Sequence, residues 1–384
     1  MSNWKRSKLG DLLKVHHGFA FAGEGMTDAL TGRPIVVSIG NFNYSGGFRF
    51  SSTRVREFIG DYPPEFNLMA GDLLVVMTCQ TAGGEILGVP GLVPDDGRVY
   101  LHNQRIGRIA CDPSRMDKRF AYYAFLSREV NRQLFSTASG TKILHTSPGR
   151  IEQVEIDIPP LSEQKRIGEL LGALDDKIAV NERIVNAAME LGAAKAAQVS
   201  ASAMESAVLG DILELKYGKS LPAARRVAGE IPVFGSGGIS GTHIEALLEG
   251  PGIIVGRKGT IGSVYWSEGG FFPIDTTFYV VCRGDGVSME YVYFLLKGLG
   301  LEEMNSDSAV PGLNRDRALS VRIKVPDAPS IQRFTVEARE LFAMLRVREQ
   351  ENQTLATLRD TLLPQLMSGR LRVKDAEKIV EDHV

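Results

Sequence analysis

The chain has 384 residues and a formal net charge of −2. That length exceeds one ordinary hydrophobic core, so two or more domains are expected, and the near-neutral balance confines any surface for a polyanion to a local patch. Cys79, Cys111 and Cys282 lack metal-ligand spacing, which suits reduced thiols, and no segment approaches membrane-spanning length, so a cytoplasmic location is expected.

In chain order, residues 1–160 read as a first globular unit of short β-type runs, with turn signals at 44–47 and 94–97 and one clear helix at 118–134. Next comes Pro159-Pro160-Leu161-Ser162-Glu163-Gln164-Lys165-Arg166-Ile167. Two prolines hold the backbone extended, Ser162 is placed to cap a helix, and Glu163 puts an anion in its first turn. The helix is predicted over 161–200. Ile167, Leu171, Leu174, Ile178, Asn181, Val185 and Ala188 recur along it at alternating spacings of three and four, a stripe that needs a partner.

A second unit is expected over 201–328, with its helix at 289–299, and a second long helix over 329–370. On that helix Phe334, Ala338, Leu341, Leu345, Arg348, Asn352, Leu355, Leu362 and Leu366 keep the same spacing, with one break where Arg359 takes a stripe position. The two helices are read as one antiparallel intramolecular pair, with a separate homodimeric coiled coil for each as the alternative, and Pro364 is expected to kink the second. Residues 371–384 look like a charged, frayed tail.

The two halves resemble one another. Leu9-Gly10-Asp11-Leu12-Leu13-Lys14-Val15 followed by Gly18 returns 200 positions later as Leu209-Gly210-Asp211-Ile212-Leu213-Glu214-Leu215 followed by Gly218. Apolar 71–76 with its loop 78–84 parallels 252–255 with its loop 256–262, and 139–160 parallels 309–327. The chain is therefore read as a tandem duplication of a globular domain plus a helix.

The loop Gly256-Arg257-Lys258-Gly259-Thr260-Ile261-Gly262 places two cations and a hydroxyl on a backbone that a ligand can approach closely, which suits phosphates and base edges. A solvated turn accounts for it as well. The corresponding first-half loop carries Thr78, Gln80 and Thr81, groups suited to adenine or thymine edges, where a plain polar turn is again the alternative. Asn103, Gln104, Arg105, Lys142, Arg225 and Arg315 lie in loops between predicted strands and are further candidates for backbone or base contacts. Phe234-Gly235-Ser236-Gly237-Gly238 and Asp157-Ile158-Pro159-Pro160 superficially suggest methyltransferase loops. The first is not set in a βαβ unit and the second lacks an aromatic to stack on a flipped base. His16, His17, His102, His145 and His243 form no metal-ligand pattern.

The chain resembles the specificity (S) subunit of type I restriction-modification systems over nearly its whole length. The matching strings are the proline hinge leading to Leu174-Asp175-Asp176-Lys177-Ile178, then Tyr217-Gly218-Lys219, residues 233–239, residues 252–262, Pro273-Ile274-Asp275-Thr276-Thr277, and the ending at 362–371. The second hinge, Pro329-Ser330-Ile331-Gln332-Arg333-Phe334, departs from the pattern in lacking the glutamate. The resemblance implies an α+β chain of two target recognition domains with mixed or antiparallel sheets, related by pseudo-twofold symmetry and separated by two long antiparallel helices. It implies that each domain reads one half of a bipartite asymmetric site in double-stranded DNA, while the helices space the halves and dock two methyltransferase (M) subunits. Lys165, Lys177 and Arg183 are expected outside the paired stripe, available for that docking. It further implies no catalytic centre and no cofactor in this chain: S-adenosylmethionine belongs to the M subunit, and ATP with magnesium to restriction (R) subunits. A scaffold whose end domains bind proteins is the alternative.

Overall fold

Alternation of apolar and polar residues builds the central sheet of each half. Leu13–His17 buries Leu13 and Val15 on one face and turns Lys14 and His16 to solvent, whereas Leu73–Val76, all aliphatic, is buried on both faces. The computed structural model describes residues 4–50, 55–304 and 312–383. Its contacts divide the chain into two units, residues 1–179 with 351–384 and residues 180–350. The expected division placed whole helices between domains; each compact unit instead takes part of both.

In the first unit the antiparallel sheet runs in the order Leu13–His17, Ile106–Cys111, Leu73–Val76, Pro90–Leu92. A second, mixed sheet of short strands includes Ile35–Val36 running parallel to Tyr100–Leu101, and Lys5–Lys8 pairs antiparallel with Glu155–Ile158. The helix predicted at 118–134 is two helices, Lys118–Leu126 and Arg128–Thr137. Ser127 divides them: its hydroxyl donates to the Ala124 carbonyl at 2.7 Å, and its oxygen accepts from the Val130 amide.

The second unit repeats the plan, with an antiparallel sheet in the order Leu213–Tyr217, Thr277–Cys282, Gly252–Gly256, Val264–Ser267. The repeated glycines have a common cause. A Cβ on Gly18 would lie 2.3 Å from the Asn103 backbone, and one on Gly218 would lie 2.3 Å from the Ile274 carbonyl oxygen. Of the third stretch of the repeat, Ala309, Val310 and Pro311 lie outside the described residues.

The long helices are Leu161–Ala201 and Ala328–Met367. Ser162 is inside the first helix and is not its cap; the Pro160 carbonyl accepts from the amides of Glu163 and Gln164, so the helix begins at the proline hinge. At the second start Asp327 serves as the cap, accepting from the Ser330 amide at 2.8 Å, and the Ser330 side chain together with this amide holds its carboxyl below the usual range. Within the first unit the helices run antiparallel, with Arg359 on Asp175 at 2.7 Å and Lys177 on Glu351 at 3.2 Å. Ile167, Leu171 and Leu174 share one core there with Leu355, Leu358, Leu362 and Leu366. In the second unit Ala196, Phe334, Ala338 and Phe342 join another core, and Lys195 pairs with Glu337. The stripe break at Arg359 is thus filled by an ion pair, and the helix continues through Pro364 to Met367. The expected tail is a helix, Val373–Glu381, because Val373 and Ala376 are buried in the first core and Glu377 pairs with Arg166 at 3.5 Å.

Candidate nucleic-acid interface

In the first unit Thr78–Cys79 pairs antiparallel with Leu144–His145, which sets loop 80–84 beside the loop carrying Lys142. Thr78 is buried and hydrogen-bonded to His145 Nδ1 at 3.1 Å, so it supports the loop from beneath and offers nothing to a ligand. The Thr81 hydroxyl donates to Glu85, a bond that holds that carboxyl below its ordinary range. Of the three loop candidates, Gln80 alone presents an exposed group with no such engagement among the described residues.

Residues 103–105 form the turn that enters the central strand. The Asn103 carbonyl accepts from the Ile106 amide at 3.0 Å, the Gln104 amide donates to the Phe19 carbonyl at 2.9 Å, and the Arg105 carbonyl accepts from the Met77 amide at 2.9 Å. Gln104 and Arg105 are exposed, whereas Asn103 is buried. Gln80, Asn103 and Arg105 converge on an open cleft of about 440 Å³, which Arg49 and Arg56 also line. Those two arginines were not among the sequence-based candidates: they lie in an irregular polar stretch with no motif, and only their charge could have drawn notice.

In the second unit the loop after Gly252–Gly256 is pinned by the amides of Arg257 and Lys258, both donating to the Thr276 carbonyl, at 2.9 and 3.1 Å. Gly259 turns the chain at φ +84°, and Lys258 and Thr260 are exposed on either side of it. Arg257 is partly buried: its Nη2 donates to the Asp275 carbonyl at 2.6 Å, and its guanidinium lies 5.1 Å from the centre of the Tyr217 ring. The Arg315 guanidinium lies 5.7 Å from the same ring, so three segments far apart in sequence gather two cations on one exposed aromatic. Arg315 also pairs with Asp316 at 3.2 Å. Tyr217 is a functional candidate that its chemistry alone did not single out. Arg225 is exposed on the short turn Ala223–Arg225, and no contact joins it to this stack among the described residues.

Of the proposed docking residues, Lys165 and Arg183 are exposed, whereas Lys177 spends its charge across the helix pair on Glu351 and so does not stand outside it. In the second unit Val180, Ala187 and Leu191 are exposed along the first long helix at spacings of seven and four, and Val336, Ala343 and Val347 repeat that on the second. Among the described residues no group of three or more His, Cys, Asp or Glu side chains could hold a metal ion, and no helix is long and apolar enough to cross a membrane.

A family model, the type I restriction modification DNA specificity domain, matches residues 1–189 and 202–352. The specificity subunit of the type I restriction enzyme MjaVIII of Methanocaldococcus jannaschii is 25% identical over 127 residues, 33% of this chain and 29% of that one. The corresponding EcoprrI subunit of Escherichia coli is 28% identical over 124 residues, 31% of each chain. The chain thus spans less than a third of the length of these curated relatives. A solved structure, the type I restriction-modification system S subunit from M. genitalium, superposes with a TM-score of 0.61 at 21% identity, over 95% of this chain and 96% of that one. At that identity the likeness establishes a shared fold.

Proposed function

Since the chain belongs to the family of type I restriction modification DNA specificity domains, we propose that it is the non-catalytic DNA sequence-specificity subunit of a type I restriction-modification complex. The observation behind this reading is that the family match occupies both halves of the chain, and each half carries its own cluster of arginines, beside amides in the first and on an aromatic ring in the second. Residues 1–160 read one half of a bipartite, asymmetric double-stranded site and residues 201–328 read the other. Helices 161–200 and 329–370 space the halves and dock two methyltransferase subunits, which restriction subunits join. Gln80, Asn103, Gln104, Arg105 and Lys142 face DNA from the first unit, and Arg225, Arg257, Lys258, Thr260 and Arg315 from the second. Lys165 and Arg183, with the exposed aliphatic residues of the helices, serve docking. S-adenosylmethionine is used by the methyltransferase subunit, and ATP with magnesium by the restriction subunit. The complex works in the cytoplasm.

Electrophoretic mobility shift of the chain with its methyltransferase subunits, repeated across a salt titration, tests the reading. Site-specific retardation with a steep salt dependence is expected, because neutralised phosphates release counterions. Absence of retardation at every salt concentration would leave only a protein-binding scaffold.

A further inference from the structure

We propose, resting on the DNA-specificity reading above, that the cleft of the first unit is its base-reading site, in which Asn103 and Gln80 take an adenine edge while Arg49, Arg56 and Arg105 hold the flanking phosphates.

The turn at 103–105 fixes the Asn103 backbone twice, through the Ile106 amide and through its bridge to Phe19. Its side chain, only 8% exposed, lines the cleft and makes no hydrogen bond among the described residues. A carboxamide without a protein partner can be matched by a group that enters the cleft it lines. The group offers one donor and one acceptor side by side. In the major groove adenine alone presents the complementary pair on one base, the N7 acceptor and the N6 amino donor, whereas guanine presents two acceptors and would strand the amide oxygen. Gln80 brings a second carboxamide into the same cleft from the neighbouring loop.

The charge around these amides suits a polyanion. Arg56 has a carboxylate nearby, Asp28 at 3.5 Å, while Arg49 and Arg105 pair with none among the described residues. Arg49 is oriented by its Nε, which donates to the Gly40 carbonyl at 3.1 Å, so its terminal nitrogens stay available for a phosphate. Amides at the base edge with guanidiniums around them is the division of labour by which base contacts specify and phosphate contacts position.

The test uses the full chain assembled with its methyltransferase subunits. Methylome sequencing of cells carrying the unaltered complex defines its motif; duplexes bearing that motif, and copies substituted at each position in turn, are then the binding probes. Gln80→Ala and Asn103→Ala are expected to reduce discrimination at an A·T pair of one half-site by about tenfold and to leave the other half-site unchanged. Arg49→Ala and Arg105→Ala are expected to weaken binding to all the duplexes by a similar factor and to flatten the salt dependence. Should Asn103→Ala fail to fold, the exposed Gln80→Ala decides the matter alone. Wild-type discrimination at every position in a folded Gln80→Ala complex, a change falling at a G·C pair, or arginine variants with undiminished affinity would each overturn the cleft assignment. If the unaltered complex discriminates normally, only that assignment falls; if it shows no sequence preference at all, the specificity reading falls and takes this one with it.

Discussion

Asp175 and Arg359 are 184 positions apart in the chain and meet at 2.7 Å between the two long helices of the first unit. The Arg359 side chain is 14% exposed and that of Asp175 28%. Burial works against the arginine's charge, yet the hydrogen bond and charge of Asp175 leave its pKa above the ordinary value. The other Asp175 oxygen accepts from the Tyr123 hydroxyl at 2.6 Å, and burial together with this carboxylate raises that phenol. Asp175→Ala leaves the Tyr123 phenol without its acceptor and leaves Arg359 with Asp360, at 2.8 Å, as its remaining carboxylate. It is expected to destabilise the protein by about 1–3 kcal/mol, while Asp175→Asn, which keeps an acceptor, costs less. Urea unfolding of the full chain measures both; equal stability of Asp175→Ala and wild type would mean that the pair is solvated.

His102 gives the first unit a dependence on pH. It is 2% exposed, its Nε2 donates to the Ile106 carbonyl at 2.8 Å, and burial pushes its pKa down to about 4 from a usual value of 6.5. The folded form therefore resists a proton that the unfolded chain accepts. Stability from this residue is fully present above pH 6.5 and is lost as pH falls towards 4, by about 2 kcal/mol between pH 7 and pH 5. Carboxylates titrate in that range too, so the comparison is with His102→Gln, which should lose less over the same interval. Parallel pH profiles for the two proteins would remove His102 as the cause.

In the second unit Arg257 is held over Tyr217 with one nitrogen on the Asp275 carbonyl. If it reads a base by turning from that carbonyl to a guanine edge, Arg257→Ala should cost about 1–3 kcal/mol against the cognate site and relax one position. Arg257→Lys should not restore it, since an ammonium cannot fork and sits differently on an aromatic face. Competition binding with single-position duplex variants separates this from a phosphate contact, whose loss weakens all sequences alike.

Long-period features were the legible ones. The stripes on the two helices and the repeat displaced by 200 positions both survive because they depend on spacing, and packing then follows the apolar residues. What escaped was set by short strands and single polar contacts. Thr78 reads as part of a polar turn, but a two-residue strand pairing with Leu144–His145 buries it. Lys177 reads as solvent-facing, but Glu351 arrives from the other helix. The ending reads as a tail because it is highly charged; Val373, Ala376 and Val380, at spacings of three and four, were the amphipathic signal within that charge. Arg49 and Arg56 gained meaning only when the fold carried Gln80, Asn103 and Arg105 to the same cleft.

Spacer length is where the helices can be tested as a measure. An insertion near 193–197 would damage the second unit itself, because Ala196 is one of its core residues and Lys195 pairs with Glu337. Lengthening only one helix of an antiparallel pair would also slip its contacts. The sounder change adds seven residues to both helices at the boundary between the units, after Ala179 and after Gln350. Seven residues are nearly two whole turns, so each stripe keeps its face while each helix gains about 10 Å. At about 3.4 Å per base pair, the preferred gap between the half-sites should grow by about three base pairs while both half-sites keep their sequences. The methylation motif of the doubly lengthened protein reads this directly. An active complex with an unchanged gap would mean that the helices join the units without setting the distance between the sequences they read.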